Sequence, residues 1–127
     1  MDEITRLAES SYLLLTTFRK DGRAVPTPVW HVREGDSLLV WSGEDAGKVK
    51  RIRRDGTVKL AVCNYRGTPS GAEIDGHAEL VDPGDAGRVH KLVIDRYGLI
   101  GKLTSLGSRL RSGGSVGAGI RITLGPR

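Results

Sequence analysis

Between Lys48 and Arg54 the segment "KVKRIRR" carries five cationic side chains in seven residues, and the first carboxylate to follow is Asp55. So dense a run can neutralise an anion: a phosphorylated small molecule, a nucleic-acid backbone or an acidic surface. Ala46, Val49 and Ile52 recur at helical spacing, which predicts a helix over 46–54 with one apolar stripe. Lys48 and Arg51, three apart, then share one flank, while Lys50 and Arg54, four apart, share the other. The helix begins just after "SGEDAG", and its first backbone N–H groups have no intrahelical partner. A glycine-bearing loop, a helix start and an early lysine form a donor set that suits a phosphate, without P-loop spacing. The same helix, taken alone, also fits a solvated basic face or a nucleic-acid surface.

Other chemistry-bearing residues form no comparable group. His31, His77 and His90 lack metal-ligand spacing, so no metal site is expected, and no serine nucleophile elbow is present. Glu73, Asp75 and Glu79 alternate along one segment together with His77, which predicts a solvated strand face. His31, beside Trp30, could reach a substrate and donate a proton, whereas His90 reads as a surface residue on a helix flank. The single cysteine, Cys63, lies in the apolar run "VKLAVC" and excludes an internal disulfide or a cysteine-built zinc site. Arg121 and Arg127 could add to the anion field, with surface placement as the simpler reading.

The positioning elements follow from pattern. Residues 2–10 read as a short helix with Ile4, Leu7 and Ala8 at helical spacing. "YLLLTTF" (12–18) and "AVPTPVWHV" (24–32) read as strands joined at Asp21-Gly22. Pro26 and Pro28 have no N–H to give, which puts the second strand at an edge or beside an opening. A turn at 34–36 leads to a strand at 37–43, then the basic helix, a strand at 57–63 and a loop at 64–71. An alternating strand follows at 72–81, then a helix from Asp82-Pro83 to Tyr97. The segment 99–119 is ambiguous between a weak helix and a loop, and "IRITL" (120–124) returns to the sheet. Six strands joined mostly by hairpins predict a mainly β, α+β fold: a six-stranded antiparallel barrel with flanking helices.

The chain has 127 residues and a formal net charge of +5, which suits an expected single domain over 1–127 with an anionic partner. No apolar run approaches the roughly 20 residues of a membrane helix. The opening "MDEITRLAES" lacks an apolar signal region, so a cytoplasmic protein is expected. Trp30 and Trp41 lie within apolar strands and form no open stacking platform, and no helix-turn-helix or zinc-finger pattern appears. Those features weigh against nucleic acid.

The succession "GRAVPTPVWHV", "LLVWSGEDAGKVKRIRRDGTVKLAV" and "GHAELVD" resembles the split-barrel flavin-binding superfamily related to pyridoxamine 5′-phosphate oxidase. Within it, the likeness is to the actinobacterial branch that uses coenzyme F420, a 5-deazaflavin. It runs from about Tyr12 to Val81, with looser agreement beyond. The resemblance implies that Thr27, Pro28, Val29 and Trp30 lie along the cofactor ring, largely through backbone atoms. It further implies that Trp41 and Ser42 contact the phosphate-bearing chain and that Lys48 binds the phosphate, helped by Lys50 and Arg51. Core packing is the alternative for both tryptophans, and a plain strand-end hydroxyl for Ser42. The implied activity is hydride transfer between reduced F420 and an unsaturated or quinone-like small molecule. FMN is the alternative cofactor; a carrier of cofactor, haem or tetrapyrrole without turnover, and a nucleic-acid-binding barrel, are further alternatives. A polyanionic cofactor tail would make use of Lys50, Arg53 and Arg54. The resemblance also implies a homodimer whose second subunit completes the site, with Tyr65, Arg66 and 99–119 as candidates.

Overall fold

The computed structural model describes residues 2–43, 46–98 and 117–125. Helix α1 (Glu3–Glu9) is capped by the Asp2 carboxylate, which accepts from the Thr5 N–H at 3.0 Å. Strands β1 (Tyr12–Phe18) and β2 (Ala24–Val29) form the first hairpin, and β3 (Val32–Glu34) and β4 (Ser37–Gly43) the second. Helix α2 (Gly47–Arg54) precedes β5 (Thr57–Cys63) and the long β6 (Pro69–Leu80). A single 3₁₀ turn (Pro83–Asp85) opens into helix α3 (86–98), and β7 (Gly117–Leu124) follows.

Seven strands, not six, form one antiparallel sheet in the order β2-β1-β5-β6-β7-β4-β3. The ladder is open, and its two edge strands are consecutive in the chain. The expected strand 24–32 breaks at Trp30 and His31: β2 pairs with β1, and β3 with β4 on the opposite edge. Pro26 and Pro28 lie in edge strand β2, as their missing N–H groups required. Part of the expected loop 64–71 is strand, because β6 begins at Pro69, opposite Cys63. The last strand starts at Gly117, earlier than its β-rich core "IRITL". Most of the ambiguous segment 99–119, residues 99–116, lies outside the described residues.

Alternation decides what the sheet encloses. Leu13 and Leu15, Val58 and Leu60, Ile120 and Ile122, Leu38 and Val40 point to one face. There they meet Val29, Ala78, Ile4 and Leu7 of α1, and Val49 and Ile52 of α2. Burial of this cluster supplies the main driving force for folding. On the opposite face α3 lays Val89 and Val93 over Leu39, with Trp30, Val32, Trp41 and Val81 around them.

The corner between the two edges is held by side chains. His31 is fully buried; its N–H donates to the Tyr97 hydroxyl at 3.1 Å and its carbonyl accepts from Arg96 at 2.5 Å. Arg96 also donates to the Ala8 and Ser10 carbonyls at 2.8 and 2.7 Å, and Tyr97 Oη donates to the Ser11 carbonyl at 2.8 Å. The imidazole Nε2 lies 2.6 Å from the Leu7 carbonyl, which assigns the proton to Nε2. Trp30 stacks on Tyr97 with ring centroids 4.4 Å apart.

Burial, then the nearby Arg96 charge, lowers the His31 pKa to about 4 against a backbone bond to Leu7 that raises it. Because the folded form resists protonation, the unfolded chain binds the extra proton as pH falls from about 6.5 to about 4. Stability should therefore fall by roughly 2–4 kcal/mol across that window from this group. Urea melts of His31→Gln should show a flatter acid limb between those pH values than the native chain; an identical limb would place the titration elsewhere. Tyr97→Phe should lose about 1–2 kcal/mol at neutral pH by the same assay.

Candidate functional site

Helix α2 forms because "KVKRIRR" supplies good helix formers and a strict apolar stripe, Val49 and Ile52, both buried against the sheet. Its start is unusual in two respects. The N-cap is Ala46, with extended φ and ψ but no side chain to accept an N–H, and the first turn contains no acidic residue. A lysine occupies that turn instead, where the helix dipole disfavours a cation. Both features lower the helix's own stability and leave its N-terminus suited to an external anion.

Lys48 is half-buried, and burial followed by the neighbouring Arg51 charge lowers its pKa. Arg51 reaches back along the helix: its Nε donates to Thr17 Oγ1 at 2.6 Å, and a Cβ at Gly47 would sit 2.8 Å from its Nη1. Glycine at 47 thus lets the guanidinium lie across the first turn. Thr17 is fully buried on the inner face of β1. Val25 and Thr27 of β2 pair with Thr17 and Leu15 and therefore share that face. Among the described residues no carboxylate pairs with Lys48, Lys50, Arg51, Arg53 or Arg54.

The structure brings together only part of the set expected from sequence. Lys48 and Arg51 converge beside Gly47, whereas Lys50 is exposed on the other flank. Ser42 is 5% exposed and shares the inner face with Leu38 and Val40; its hydroxyl lies 3.5 Å from the Gly43 carbonyl, long for a hydrogen bond. Trp41 points to the opposite face of β4, lies close over Gly117, and stacks on His90 at 4.1 Å. His90 is therefore part of a ring stack and not a plain surface residue. Both tryptophan rings, on Tyr97 and on His90, are engaged by α3. Pro28 is partly buried on the other face of β2, near Gly67, and Val29 belongs to the core.

Other candidates resolve plainly. His31 is buried and hydrogen-bonded, so it cannot act as an exposed proton donor. Glu73, Asp75 and Glu79 are exposed, Asp75 pairing with Lys59 at 2.6 Å, and His77 is half-buried beside Gly56. Cys63 is a buried thiol whose pKa burial raises. Arg121 pairs with Glu34 at 3.0 Å instead of joining an anion site, and Arg127 lies outside the described residues. Tyr65 is exposed and Arg66 donates to its hydroxyl at 2.9 Å. No group of three or more metal-ligating side chains occurs among the described residues, and no helix there is long and apolar enough to cross a membrane.

Sequence reasoning missed one contribution. The turn "RKDGR" (19–23) carries Arg19, Lys20 and Arg23 against the far end of α2. Its Asp-Gly pair read as punctuation, although three cations around it were visible.

An antiparallel sheet split at one corner, with a cationic helix packed at its inner face, defines the split-barrel class. A family model described as pyridoxamine 5′-phosphate oxidase matches residues 2–109, and the chain belongs to that family. A conserved hypothetical protein from Mycobacterium tuberculosis aligns with TM-score 0.68 at 22% identity, over 99% of this chain and 82% of that one. A protein named F420 reductase aligns with TM-score 0.64 at 17% identity, over 99% and 96%. HutZ, the haem storage protein of Vibrio cholerae, aligns with TM-score 0.65 at 16% identity, over 98% and 89%. At these identities the likeness establishes the fold. No match was found among curated proteins.

Replacing Ala46 by Asp supplies the missing cap and places a carboxylate where an anion would bind. This variant should gain about 0.5–2 kcal/mol in urea unfolding and lose affinity for inorganic phosphate in a calorimetric titration. A gain in both would show that the helix start is not an anion site.

Proposed function

We propose that this protein is an oxidoreductase that uses coenzyme F420, exchanging a hydride between the reduced cofactor and an unsaturated or quinone-like small molecule. The observation that carries this reading is the start of α2, uncapped and cationic, where Lys48 and Arg51 converge without a carboxylate among the described residues. That donor set fits a phosphate group: an ammonium, a guanidinium pre-positioned on Thr17, and backbone N–H groups at a helix start. Ser42, with its hydroxyl weakly engaged, adds a fourth donor at the end of β4.

When bound, F420 supplies the hydride chemistry itself; the protein's share is orientation, electrostatics and exclusion of water. Thr27 to Trp30 lie along the ring through backbone atoms, which leaves the Trp30 ring on Tyr97. A second copy of the chain completes the site, and the protein acts as a homodimer in the cytoplasm. No side chain is assigned as acid or base.

The same donors suit FMN, and the likeness to a haem storage protein supports a carrier without turnover as the next reading. A nucleic-acid barrel is disfavoured, because both tryptophan rings are taken up by α3 and offer no platform for bases.

Titration with F420 and FMN side by side, read by tryptophan quenching, tests the cofactor. Lys48→Ala should weaken F420 binding by about 1–3 kcal/mol while slightly raising the unfolding midpoint of the free protein, since it removes a cation from the first turn. An unaltered dissociation constant would remove Lys48 from the site. Binding with no oxidation of reduced F420 by a panel of unsaturated and quinone acceptors would leave the carrier reading in its place.

A further inference from the structure

We propose that the cleft between the β1–β2 turn and the C-terminal half of α2 is a second anion subsite, distinct from Lys48, that takes an oligoanionic chain of successive phosphates or carboxylates. Two adjoining clefts of about 460 and 390 Å³ open there and share Arg19, Lys20 and Arg54. Arg23 and Arg51 complete the cationic lining, against two carboxylates, Asp21 and Asp55. Neither carboxylate answers the cluster as a whole. Asp21 accepts from Arg23 Nε at 2.8 Å and from its N–H, while Asp55 Oδ1 accepts the Thr57 N–H at 3.0 Å.

The two helix arginines are held in place by neutral oxygens. Arg51 donates to the Thr17 hydroxyl and Arg54 to the Phe18 carbonyl at 2.5 Å, so consecutive residues of β1 position guanidinia one helical turn apart. A guanidinium fixed by a neutral acceptor keeps its full charge and its remaining N–H donors. Docking both arginines along one strand end gathers like charges, which disfavours the free protein unless an anion relieves it. Residues 48 and 54 lie about 9 Å apart along the helix axis, too far for one phosphate to bridge. A ligand that spans Lys48 and the far cleft is therefore a chain, and five cations against two carboxylates in the far cleft suit one bearing several charges.

Such a chain could be a tethered extension of the cofactor held at Lys48 or a separate molecule; only the first arm below rests on the F420 reading. Calorimetric titration of inorganic phosphate and of tripolyphosphate at low salt should show affinity rising with the number of charges. The Arg19→Gln/Lys20→Gln variant should weaken tripolyphosphate at least fivefold, and Arg54→Gln should do the same. Arg88→Gln/Lys91→Gln removes the same charge from exposed ion pairs on α3, against the opposite face of the sheet, and should change it less than twofold. F420 with and without its oligoglutamate tail separates the sources. A loss confined to the tailed form identifies the cofactor's own extension, whereas a loss for tripolyphosphate alone identifies a separate oligoanion. An equal loss in the turn variant and the remote control would mean diffuse attraction and overturn the subsite. So would turn-dependent binding of single-stranded DNA, with a steep salt slope, tighter than that of tripolyphosphate.

Discussion

His31 stands where the sheet cannot pair with itself. The chain leaves one edge at Val29 and enters the other at Val32, so the residues between have no ladder partner. Buried backbone groups must still be satisfied. Tyr97 and Arg96 do this, with the hydroxyl accepting one N–H and the guanidinium donating to the carbonyl. The same two side chains take up carbonyls at the end of α1. One polar cluster thus joins both sheet edges, the first helix and the last described helix, and the inner apolar cluster depends on that closure.

The cationic features depend on the fold in a different way. Val49 and Ile52 anchor α2 firmly enough that its N-cap can be Ala46, which makes no side-chain hydrogen bond, and its first turn can hold a lysine. Core packing on one stripe of the helix thereby sustains an electrostatically unfavourable start. The first hairpin contributes as well: β1 offers Thr17 and Phe18 to the helix arginines, and its turn adds three further cations. The cationic surface belongs to two elements that the sequence separates by some twenty residues.

Much of this was legible in the residues themselves. "YLLLTTF", "SLLVWSG" and "TVKLAVC" are apolar runs bounded by turn residues, and their strands end where those runs end. The alternation after Ala72 placed Glu73, Asp75 and Glu79 outside and Ala78 inside. The break at Trp30 and His31 was not legible, because it is set by bonds to residues some 66 positions away, and local pattern carries no trace of them. A continuous strand was the natural expectation, and it cost the seventh strand. Trp30 and Trp41 illustrate a second limit: an aromatic in a strand does not reveal which face is covered by a distant helix. Lys48 and Arg51 came together because helical spacing is local, while Lys50 fell on the other flank for the same reason.

The closure at His31 has a consequence for how the chain comes to be folded. Its partners are made long after the corner itself, so during synthesis both edge hairpins exist before anything can tie them together. Until Arg96 and Tyr97 emerge, the backbone groups of His31 between β2 and β3 lack the side chains that satisfy them. Contacts of such high sequence separation are slow to form, and the sheet becomes continuous only later still, when β7 emerges to pair with both β6 and β4.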